Sequence, residues 1–150
     1  MIRTATRSLA ALLLLAGAAA GQFTPVGGGC PGETPTPVIG TPQLNGYIAI
    51  SHGTGCNSGP VTHNGIIALG LQLLPQPINF PKCAQPTFCS MVVLPFYVHV
   101  TPSTASLGLP IPNNPILQGQ TVYVQSTCHL IYSLPGCFTR MHQAVKFTIT

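Results

Sequence analysis

The sequence has a single carboxylate side chain, Glu33, with no aspartate and no tryptophan. Paired-carboxylate glycoside hydrolysis needs two acids flanking the scissile bond, and acidic calcium loops need several. Neither can be built from Glu33 alone. A Ser-His-acid triad would have to recruit Glu33, no G-x-S-x-G elbow is present, and a cysteine nucleophile would have to stand outside any disulfide. The chain therefore reads as non-enzymatic, with no cofactor. The missing tryptophan removes the usual stacking platform for sugars. Stacking would fall to Tyr47, Tyr97, Tyr123 and Tyr132, with Asn113 and Asn114 as nearby hydrogen-bonding groups.

Charge is scarce as well: only 4% of residues are charged, against about 25% in ordinary soluble domains. The formal charge of +4 includes Arg3 and Arg7, which precede the apolar run Leu9 to Ala16 and the small residues Ala18-Ala19-Ala20. That order is the pattern of a cleaved signal peptide. The apolar stretch of twelve residues, Leu9 to Ala20, falls short of the roughly 20 needed to cross a bilayer. Residues 1–20 are thus expected to be a signal peptide, with a mature chain starting near Gly21 and no integral membrane span. The predicted localisation is secreted, either extracellular or at the cell surface.

Beyond residue 20 the ionic side chains are Lys82, Arg140 and Lys146 against Glu33, or +2. Three scattered cations make no track for phosphates, so nucleic acid is excluded as a partner. A surface of Thr, Ser, Asn, Gln, Gly and Pro also lacks the repulsion that keeps copies apart.

Long helices are absent for a different reason. The sequence holds 16 prolines and 16 glycines, all the prolines and all but Gly17 lying beyond residue 20. In a helix interior proline costs about 3 kcal/mol and glycine about 1. The longest uninterrupted segments, Gln120 to Leu134 and Cys137 to Thr150, read as strands. Val145, Phe147 and Ile149 alternate with Lys146, Thr148 and Thr150, the period of a half-buried strand. Further strands are expected over Tyr47 to Ile50, Ile66 to Leu74 and Met91 to Val100, with Pro95 marking an edge strand or bulge. Asn45-Gly46 and Asn64-Gly65 are turn signals.

This pattern predicts an all-β, antiparallel β-sandwich, jelly-roll or immunoglobulin-like, with almost no helix after the signal peptide; a small barrel is the alternative. Residues 21–42 are rich in glycine and proline and are expected to form an extended arm, followed by the sandwich domain at 43–150.

Six cysteines in an exported chain, Cys30, Cys56, Cys83, Cys89, Cys128 and Cys137, favour three disulfides. Many pairings are open. Short loops favour Cys83–Cys89 around Pro86 and Cys128–Cys137 around Pro135-Gly136, which leaves Cys30–Cys56. Five histidines, His52, His63, His99, His129 and His142, offer imidazoles for copper or zinc, but their spacing matches no metal signature. No metal site is assigned.

Several segments carry a likeness: Gly28-Gly29-Cys30-Pro31-Gly32, Gly40-x-Pro42-x-Leu44, Leu109-Pro110-Ile111-Pro112-Asn113-x-Pro115, Leu117-x-Gly119 before Tyr123-x-Gln125, and the alternating C-terminal strand. With these the chain resembles a group of uncharacterised secreted bacterial β-sandwich modules. The resemblance implies a fold and a location rather than a reaction, and Cys128 and Cys137 are additions to its pattern.

The expected function is a non-catalytic extracellular structural or surface protein. It would self-associate into an assembly or filament by β-strand addition, the Gln22 to Pro42 arm adding to a neighbour's exposed sheet edge, with itself or other surface components as partners. The alternatives are a glycan-binding or adhesion module and, more weakly, a periplasmic copper- or zinc-binding protein.

Overall fold

The computed structural model describes residues 22–53, 63–83, 86–102, 104–130 and 138–150, apart from the side chains of His63, His129 and Leu130. Eleven strands run through these residues: β1 (Thr24–Gly27), β2 (Val38–Thr41), β3 (Tyr47–Ile50), β4 (His63–Gly70), β5 (Gln72–Pro81), β6 (Phe88–Leu94), β7 (Tyr97–Pro102), β8 (Leu107–Pro110), β9 (Thr121–Leu130), β10 (Phe138–Met141) and β11 (Ala144–Thr148). The helical content among them is one 3-10 turn, Pro115–Leu117. The expected signal peptide at 1–20, together with Cys56, Tyr132 and Cys137, lies outside the described residues.

The main sheet runs β1-β11-β9-β4-β7, with β10 also on β9, and a smaller sheet runs β2-β3-β8; every strand pair is antiparallel. Alternation decides which side chains meet between them. Ile48 and Ile50 of β3 and Leu107 of β8 point at Ile67 and Leu69 of β4, Val124 of β9, and Val145 and Phe147 of β11, forming one buried cluster. Successive residues of a strand face opposite sides of its sheet, so Ile66, Thr127 and Met141 look the other way. There the hairpin β5–β6 covers them, and Cys30, Cys89, Phe138 and Met141 form a second cluster with Ile66, Phe80 and Met91. The result is a β-sandwich with an extra ribbon on its back.

That ribbon continues the sheet. Only Leu71 separates β4 from β5, and only Pro95-Phe96 separates β6 from β7. Because β4 pairs β7 and β5 pairs β6, residues 63–102 form one long hairpin bent in the middle. Gly70 sits at the bend, where a Cβ would come 2.2 Å from the Leu94 carbonyl oxygen. The expected strand Ile66 to Leu74 is therefore two strands, and Met91 to Val100 breaks at Pro95 as its proline predicted, with β7 left at the edge of the main sheet.

Three expectations need correction or amendment. Asn64-Gly65 is not a turn, since both residues lie inside β4, paired with β7 on one side and β9 on the other. The glycine is required for space: a Cβ on Gly65 would sit 2.2 Å from Nε2 of the buried His52 ring. Asn45, by contrast, does take the left-handed conformation (φ 60°) of a turn residue.

The stretch 21–42, expected as an extended arm partly tied down by Cys30, carries β1, which pairs β11, and β2, which pairs β3. Between them Thr36 is buried, its hydroxyl donating to the Gln143 carbonyl and accepting from the Ser126 amide.

The cysteine pairing also differs. Cys30 is bonded to Cys89, which overturns both Cys83–Cys89 and Cys30–Cys56. Cys89 points into the second cluster towards Cys30, whereas the amide of Cys83 is engaged by the Phe138 carbonyl at the far end of the hairpin. Cys83 and Cys128 are disulfide-bonded as well, and no described cysteine is free. The expected Cys128–Cys137 pair involves a residue outside the described set.

Candidate functional site

The two sheets part at one end and leave a cleft of about 660 Å3. Its floor is the edge of the first cluster: Ile48 from β3, Leu69 from β4, Val122 from β9, and Phe147 and Ile149 from the C-terminal strand and its extension. Leu109 and Ile111 close one wall. The rim is made by residues that local structure holds out of the core. Leu71 and Phe96 stand at the ribbon's bend, fixed by the Phe96 amide donating to the Leu69 carbonyl, and are 53% and 67% exposed. Ile116, 78% exposed, stands on the 3-10 turn, which Pro115 starts and the Asn114 side chain caps by accepting from the Ile116 amide.

Polar groups are few: Gln120, and Tyr97, whose hydroxyl is 3.2 Å from Nδ1 of His99 with the two rings stacked. Among the described residues no charged side chain lines the cleft.

Beside the cleft lies β7. Its inner face carries Tyr97, His99 and the buried Thr101; its outer face carries Val98 and Val100, which are 50% and 57% exposed.

The tyrosines considered for stacking do not converge. Tyr47 lies on the outer face of the small sheet across Gly108, Tyr97 is on the cleft rim, and Tyr123 is half-buried on the opposite face of the main sheet. Of the histidines, His99 belongs to β7, while His52 and His142 meet inside the fold.

His142 Nε2 lies 2.9 Å from the His52 carbonyl oxygen and its Nδ1 lies 3.2 Å from that of Thr34. Burial, and then the charges of His142 and His99, hold the His52 imidazole below its ordinary pKa, against a raising contribution from the Thr127 backbone. Close by, Arg140 and Glu33 form an ion pair at 3.2 Å. Among the described residues no three His, Cys or acidic side chains are grouped to hold a metal ion.

Sequence reasoning missed Leu71, Phe96 and Ile116 as site residues. The available signals were the bend-forming Gly70-Leu71 and Pro95-Phe96 pairs and the Asn114-Pro115 cap. No protein-family model, curated protein or solved structure matches the chain.

Proposed function

We propose that the chain is an exported, non-catalytic structural protein that joins copies of itself by strand addition along β7. The observation that carries this reading is a sheet edge with no partner strand among the described residues. β7 ends the main sheet with Tyr97, Val98 and Val100 exposed. Native sheet edges are usually blunted by charge, proline or a bulge. From Tyr97 to Thr101 there is no charge and no proline, and the register with β4 is unbroken from Pro102 to Tyr97.

Other edges are shorter or already engaged: β1, β2 and β8 have four residues each, β5 carries Pro75, Pro77 and Pro81, and the outer side of β6 is met by Gly29 at Ser90 and by the Gln125 side chain at Val92. Two β7 strands paired antiparallel about His99 would set Val98 of one copy opposite Val100 of the other, a self-complementary contact. Few charges oppose it. Because β1 and β2 are already paired in their own sheets, the 21–42 stretch is not the donor. Export rests on the leader-like N-terminus and on the Cys30–Cys89 bridge, since disulfides persist in oxidising compartments.

Sedimentation over a wide concentration range tests the reading. Association is expected for the wild type, and Val100→Lys should remain monomeric. A wild type that stays monomeric at high concentration, or a Val100→Lys variant that associates equally well, overturns it. The glycan alternative has less support, because the three described tyrosines occupy separate surfaces and form no common platform.

A further inference from the structure

We infer that the cleft between the sheets binds one unbranched acyl chain with an uncharged head group, its tail on Leu69, Val122 and Phe147 and its head beside Gln120 at the mouth. A cleft of about 660 Å3 that opens to solvent yet is lined almost wholly by apolar side chains, several of them from a core cluster, is the exposed apolar surface that marks a binding site. The size falls within the roughly 300–1,000 Å3 of small-molecule sites. Apolar hollows that water fills poorly take up apolar guests.

The wall chemistry narrows the guest. Apart from Phe147 the floor is branched aliphatic, so it offers no opposed aromatic faces to recognise a flat ring system. Among the described residues the lining has no charged side chain, and the Tyr97 hydroxyl is already engaged with His99. A charged head drawn inside would lose its hydration without a partner. Gln120 is left as the group able to meet a hydroxyl or ester. The rim is built rather than incidental: Ile116 is held outward by its capped turn and Phe96 by its bond to Leu69. Their exposed side chains extend the apolar track beyond the mouth.

The test is displacement of Nile red from the full exported chain by dodecan-1-ol and 1-monolauroylglycerol, with laurate and a sterol as comparisons. Expected are saturable one-to-one displacement, about fourfold weakening for each methylene removed from the alcohol, and no advantage for laurate. Ile116→Glu, at a position too exposed to disturb folding, should weaken binding at least tenfold. Val122→Trp, with folding checked by its melting transition, should abolish it. Absence of saturable displacement overturns the inference, as does indifference to chain length, preference for laurate or the sterol, or unchanged binding in Ile116→Glu. Val98 and Val100, on which the association rests, do not line the cleft, so sedimentation of the same samples lets either reading fail alone.

Discussion

Removing the Cys30–Cys89 bridge should cost the fold about 3–4 kcal/mol and should release the hairpin before the sheet. The cysteines are 59 residues apart in sequence. Closing a loop of that length in the unfolded chain corresponds to ~4 kcal/mol at room temperature in the chain-entropy account, and even a loop of about 15 residues corresponds to about 3. Cys83 lies inside this loop and is itself disulfide-bonded, which shortens the free loop and makes the larger figure a ceiling. Typical domains are stable by about 5–15 kcal/mol, so the loss is a large fraction of the total.

The bridge also has a local role. Cys89 is on β6, and next to it Gly29 and Ser90 exchange both backbone hydrogen bonds. Together they fasten the β5–β6 hairpin to the N-terminal segment. The variant is Cys30→Ala with Cys89→Ala, measured by guanidinium unfolding with circular dichroism and by amide exchange. Amides of Phe88–Leu94 should lose protection well before those of β9. A loss below about 1 kcal/mol, or equal exchange in β6 and β9, would refute the reasoning.

What the sequence made legible followed period and punctuation. Tyr47–Ile50 was readable because Ile48 and Ile50 alternate with outward residues between glycine and polar boundaries. The C-terminal strand was readable because Val145, Phe147 and Ile149 share one face, and all three are buried. Pro95 marked the break before an edge strand. The errors came from tertiary contacts that override local signals.

Asn64-Gly65 has the composition of a turn, yet its glycine is required by the His52 ring arriving from another part of the chain. The short-loop pairing Cys83–Cys89 failed because a strand's side chains alternate: Cys89 faces inward to Cys30. The glycine- and proline-rich stretch looked too polar to bury, but β1 and β2 are held largely by backbone pairing, which side-chain composition does not reveal. The cleft was illegible for another reason. Leu69, Val122 and Phe147 each read as ordinary core residues, and nothing local says that the opposite sheet diverges just beyond them.

Three further outcomes are expected. Gly65→Ala should destabilise by about 1–3 kcal/mol, the usual cost of overpacking, because the clashing His52 ring is buried and cannot swing away; an unchanged melting temperature would count against that packing. Gln125→Ala should cost about 2 kcal/mol or more, at roughly 1–3 for each of the Val92 amide and His142 carbonyl left unmet, since the Ser90 carbonyl still accepts from Gly29. The Gln125 amide accepts from the Val92 amide and donates to the Ser90 and His142 carbonyls, tying the ribbon to the sheet; a loss under 1 kcal/mol in urea unfolding would show that the ribbon does not depend on it.

The last concerns acid. With its folded pKa held below the ordinary 6.5, His52 is neutral in both states above that value, and its contribution to stability is then complete. As pH falls through 6.5 the unfolded chain takes up the proton first, so stability declines until the folded-state value is passed. Repulsion from His142 and His99 adds to the burial penalty on a protonated His52. The melting temperature should therefore drop between pH 7.5 and pH 5, and His52→Gln should flatten that slope. In the wild type the His52 Cε1 proton should titrate below 6.5 by NMR. A His52 resonance that titrates at or above 6.5, with an unaltered slope in His52→Gln, would mean that the imidazole is not held neutral by its burial.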